Sequence, residues 1–65
     1  MNLQLYDVVA VNLRSRTVRL LATEKTGDNA TAIVAMAVGR RGVMQEFYSE
    51  VLSGRYEDGD TCRFC

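Results

Sequence analysis

Sixty-five residues make one domain at most, and a chain this short buries so little surface that its stability is expected to be on the order of a few kcal/mol. A composition of 48% hydrophobic and 25% charged residues argues against a disordered chain. A formal net charge of zero excludes a global attraction to nucleic acid or to a membrane surface.

The charge is unevenly spread along the chain. Residues 1–45 carry Arg14, Arg16, Arg19, Lys25, Arg40 and Arg41 against Asp7, Glu24 and Asp28. Residues 46–65 carry Arg55 and Arg63 against Glu46, Glu50, Glu57, Asp58 and Asp60. The two halves either offset each other in the fold or form faces of opposite preference. No basic-then-apolar signal segment opens the sequence, and its apolar runs fall far short of the roughly 20 residues a membrane span needs. The expectation is a cytoplasmic protein with no membrane partner.

In chain order, "LQLYDVVAVNL" (3–13) reads as a strand. Leu3, Leu5, Val9 and Val11 fall on one side, with Tyr6, Val8 and Ala10 on the other, so both faces of this strand should be covered. The polar stretch from Asn12 to Thr17 is a turn that the Asn12 side chain can start. "TVRLLAT" (17–23) alternates as a second strand, and the two form an antiparallel hairpin.

Gly27 ends the extended pattern, and Thr26, Asp28 and Asn29 are all suited to cap a helix N-terminus. The helix is predicted over about 29–41. Ala30, Ile33, Val34, Ala37 and Val38 make one apolar face. The opposite face is almost as apolar, with Ala32, Ala35, Met36 and Gly39, and Thr31 is the only polar side chain between Asn29 and Arg40. Arg40 and Arg41 fall in the last turn, where cations favour the negative end of the helix dipole, and Gly42 follows where a left-handed cap belongs. "RRG" is therefore first a helix stop, with contact to an anionic partner as an added role. A phosphate-cradling loop needs its glycines before a helix N-terminus, and these lie at the other end.

A third strand is read over 43–52, with Phe47 and Val51 on one side and Tyr48 and Leu52 on the other. Residues 53–65 read as a turn followed by a tail or a short fourth strand. The expected fold is α+β, an antiparallel sheet of three or four strands in ββαβ(β) order with one helix packed on it.

Enzyme chemistry is poorly supplied. The chain has no histidine, so its serines and cysteines lack the usual proton acceptor. "EDGD" (57–60) lacks the ligand series of a calcium loop and reads as a solvated turn. "CRFC" (62–65) is half of a zinc site with no second half. Its cysteines read as incidental or packing residues, ahead of a metal shared between chains or a disulfide. No catalytic, cofactor or metal residue is assigned.

Two binding readings remain. The helix with no polar face marks a protein interface at Ala32, Ala35, Met36 and Gly39, for a protein partner or a second copy of the chain. Nucleic acid is the runner-up, contacted by Arg14 and Arg16 at the hairpin tip, Arg19 beyond it, and Arg40 and Arg41 at the helix end.

"YDVVAVNL", "AIVAMAVGRRGVMQEFYSEV" and "GRYEDGD" together resemble small accessory proteins encoded by bacteriophages and prophages. In length, ββαβ order and the acidic "YEDG" turn the chain is also similar to some small anti-CRISPR proteins. The resemblance implies a non-enzymatic protein that modulates a host by covering the surface of a macromolecular complex. It assigns no functional residue.

Overall fold

The computed structural model describes residues 4–40 and 45–63. The parts of the sequence reading that fall on Leu3, Arg41, Gly42, Val43, Met44 and Cys65 lie outside the described residues. The elements are β1 (Tyr6–Asn12), β2 (Val18–Lys25), α1 (Gly27–Arg40) and β3 (Glu46–Leu52). The strands form one antiparallel sheet in the order β2-β1-β3, with α1 packed across all of them. The α+β architecture is the expected one. A fourth strand is absent among the described residues, where Thr17 and Thr61 share only an isolated bridge.

β1 lies in the middle because both its faces are apolar. Val8, Val9, Ala10 and Val11 are all buried. Strand alternation sends Val9 and Val11 to one face, where they meet Val18, Tyr56 and Cys62, with Leu20, Phe47 and Val51 around them. Val8 and Ala10 point the other way, beneath α1, whose Ala30 is fully buried. The sheet therefore has the helix on one face and the C-terminal segment on the other.

The hairpin turn forms as its sequence suggests. Asn12 Oδ1 accepts the N–H groups of Arg14 and Ser15 at 2.9 and 3.0 Å, and Arg16 takes a left-handed φ of 61°. The helix starts earlier than the sequence suggests. Thr26 is the cap, with its Oγ1 3.4 Å from the Asn29 N–H, and Gly27 belongs to the first turn rather than closing the strand.

The "EDGD" turn is exposed, as expected, but it is bonded to the sheet. Asp58 Oδ1 accepts the Leu20 N–H at 2.9 Å, Asp60 O accepts the Val18 N–H at 2.8 Å, and Val18 O accepts the Gly59 N–H at 2.8 Å. Arg16 O accepts the Cys62 N–H at 2.7 Å. These bonds run along the first part of the outer edge of β2, from Arg16 to Leu20, and occupy there the groups that an edge strand otherwise offers to another chain. Cys62 is a packing residue, 6% exposed and part of the core, and it is also disulfide-bonded, which the sequence reading ranked behind incidental or packing roles.

β2 is irregular and β3 is regular. The β1–β2 register shifts between Tyr6 and Val8 and again between Val8 and Val9. Glu24, in the first of these bulges, has a φ of 55°. The β1–β3 register runs unbroken from Tyr6↔Leu52 to Asn12↔Glu46.

Candidate protein-binding surface

Residues 27 to 40 lay α1 along the length of the sheet, from the Lys25 end of β2 to the Glu46 end of β3. Small Ala30 at the contact lets the helix sit close over Val8 and Ala10. Its orientation is fixed by Thr31, whose Oγ1 lies 2.9 Å from Gly27 O and 3.2 and 3.3 Å from the carboxylate oxygens of Glu50. Thr31 therefore marks the side of the helix that faces β3.

At about 100° per residue, Ala35 and Val38 share the Thr31 flank, Ala32 and Gly39 point away from the sheet, and Met36 lies on the flank toward β2. Ala32, Ala35, Met36 and Gly39 are all exposed, as the sequence reading placed them. Val38 corrects that reading. Its spacing groups it with the apolar face of Ala30, Ile33, Val34 and Ala37, yet it is 46% exposed, because its position on the flank carries it past the sheet rather than onto it. With Met36 at 55%, it enlarges the apolar surface that α1 shows to water.

The arginines converge at one end of the fold. Arg14 and Arg16 are exposed on the β1–β2 turn, and Arg40 is exposed in the last turn of α1 above that end. Arg19 stands nearby on β2, opposite Ala10. Its guanidinium reaches across β1 to Glu46 on β3, with Nη2 3.3 Å from both carboxylate oxygens, which leaves less of it for a partner. Arg41 lies outside the described residues.

Sequence reasoning missed Asp7. This carboxylate is 3% exposed in the middle strand and accepts the N–H groups of Glu24 and Gly54. It also missed an open cleft of about 330 Å³ at the Leu52 end of β3, lined by Tyr6, Glu50, Leu52, Arg55, Tyr56 and Arg63. The cleft draws on residues far apart in sequence, so no local pattern announces it.

Among the described residues no helix is long and apolar enough to cross a membrane. No protein family, curated protein or solved structure matches this chain.

Proposed function

We propose that the chain is a non-enzymatic protein-binding module that acts by covering a surface of a larger complex, with the outer side of α1 as its contact. One observation carries this reading: Ala32, Ala35, Met36, Val38 and Gly39 are all exposed on a single helix whose inner side is already packed. Small residues let a partner backbone approach, and an unbranched Met adapts to its shape. The resemblance to phage accessory proteins suggests the kind of target, a host macromolecular complex. Affinity capture with the wild type and with the Ala32→Glu/Met36→Glu double variant tests it. A defined protein complex that survives nuclease and is lost in the double variant is expected. Capture unchanged in that variant overturns the assignment of the surface.

A second reading, nucleic-acid binding, draws support from the gathering of Arg14, Arg16 and Arg40 at one end of the fold. It predicts salt-sensitive binding to DNA or RNA that falls in Arg14→Gln/Arg16→Gln and is indifferent to Met36→Glu.

A further inference from the structure

The two edges of the sheet are treated differently. The β2 edge is bulged and occupied by the C-terminal segment. The β3 edge is not. Leu13 N–H donates to Gln45 O and Ser53 N–H donates to Leu5 O, which fixes the odd-numbered residues of β3 as those facing β1. Alternation then turns the N–H and C=O groups of Tyr48 and Glu50 outward. Among the described residues no hydrogen bond reaches either outward N–H. β3 has no bulge against β1, no proline and no lysine, and its charged side chains are Glu46 and Glu50.

We propose that β3 pairs antiparallel with β3 of a second copy of the chain, with Ser49 on the two-fold axis. Registers centred on Tyr48 or Glu50 oppose Glu46 to Glu50 or Glu50 to itself, and like charges directly opposite are unfavourable. Registers centred further out forfeit strand overlap. Centring on Ser49, the middle of β3, avoids both faults. It places Tyr48 opposite the partner's Glu50, so that their outward N–H and C=O groups bond reciprocally. It places Phe47 opposite the partner's Val51, which continues the buried face of the sheet. The strand end that carries Glu46 is then brought beside the cleft at the partner's Leu52 end, which Glu50, Arg55 and Arg63 line.

The same axis sets both α1 helices on one face of a continuous sheet, running antiparallel. Their Thr31 flanks face each other across the axis, so the middle of one helix, around Thr31 and Ala35, lies beside the middle of the other. The proposal shares Ala35 with the surface reading above, but the pairing stands on β3.

Sedimentation equilibrium of the full chain, from low micromolar to near-millimolar, tests it beside two variants. The wild type should approach the mass of a dimer. Glu50→Pro removes one outward N–H and leaves the β1 ladder intact, since proline is tolerated where an edge N–H faces solvent. It should be monomeric with native circular dichroism. Should that variant unfold, Ser49→Cys decides. The residue facing itself across the axis is a non-hydrogen-bonded pair, whose Cα separation of about 4.5 Å a disulfide can bridge. Mild oxidation should therefore link position 49 of one copy to position 49 of the other, as mapped by mass spectrometry, whereas Glu50→Cys should not self-link. A wild type monomeric throughout, or a dimer in which Ser49→Cys does not link, overturns the proposal. Because Ala32→Glu/Met36→Glu lies off the axis, it should stay dimeric, so loss of captured protein and loss of the dimer report on different surfaces.

Discussion

Asp7 and Glu24 meet in the first bulge of the sheet, where Asp7 Oδ1 accepts the Glu24 N–H at 3.0 Å while Oδ2 accepts the Gly54 N–H at 3.1 Å. One buried carboxylate thus joins the end of β2 to the turn that follows β3. Removing it strands two N–H groups whose partner lies in the middle strand. Asp7→Ala should cost about 2–4 kcal/mol, and Asp7→Asn, which keeps one acceptor, roughly half of that. Urea denaturation of the two variants checks the order. Equal effects would mean that the packing, not the acceptors, matters.

Asp58 should matter locally rather than globally. Its bond to the Leu20 N–H lies at the exposed edge of β2, so Asp58→Ala should cost about 1 kcal/mol, a typical single hydrogen bond. The sharper signal is amide exchange. Leu20 should lose protection in Asp58→Ala and keep most of it in Asp58→Asn, while the N–H of Asn12, bonded to Thr17 O inside the hairpin, should not change.

Two glycines should respond in opposite directions. A Cβ at Gly27 would lie 3.6 Å from the Tyr6 ring, an ordinary contact in the first turn of α1. Gly27→Ala should therefore raise stability by about 0.5 kcal/mol, mainly by restricting the unfolded chain. Gly54 has a φ of 81°, and Gly54→Ala should cost about 1–2 kcal/mol although nothing crowds the site. Thermal melts read both signs.

The inner and outer sides of α1 should likewise separate. Ala30 is fully buried, so Ala30→Val should cost about 1–3 kcal/mol by overpacking. Ala35 is exposed, so Ala35→Glu should change stability by no more than about 0.5 kcal/mol and leave the far-ultraviolet circular dichroism native when measured on dilute protein. An unfolded Ala35→Glu would place that residue in the core.

What the sequence revealed and what it hid follow from the range of the interactions. β1 was legible because Val8 to Val11 are apolar on both alternating faces, and the hairpin because Asn12 caps its own turn. The helix was legible by period, but the fate of Val38 was not. A residue on the flank is buried or exposed according to where the sheet ends beneath it. Asp7 interrupts an apolar strand and gives no hint of Gly54, which lies 47 residues away. "EDGD" and Cys62 read as loop and tail because backbone pairing with a bulged edge leaves no periodic trace. The exposed arginines were placed correctly as turn and helix-end residues, but their gathering at one end belongs to the topology.

The occupied edge of β2 also limits how far this sheet can grow. A sheet open at both edges can accept a neighbour on each side, and each neighbour can do the same, which is the geometry of a fibre. A sheet sealed on one side can add at most one partner, after which no edge remains. The hydrogen bonds that Asp58 and Asp60 accept from Leu20 and Val18 of β2 therefore act as a terminator at that part of the edge. Removing the Asp58 bond, as in Asp58→Ala, frees the Leu20 N–H and should raise the tendency to form filaments by more than the loss of stability accounts for.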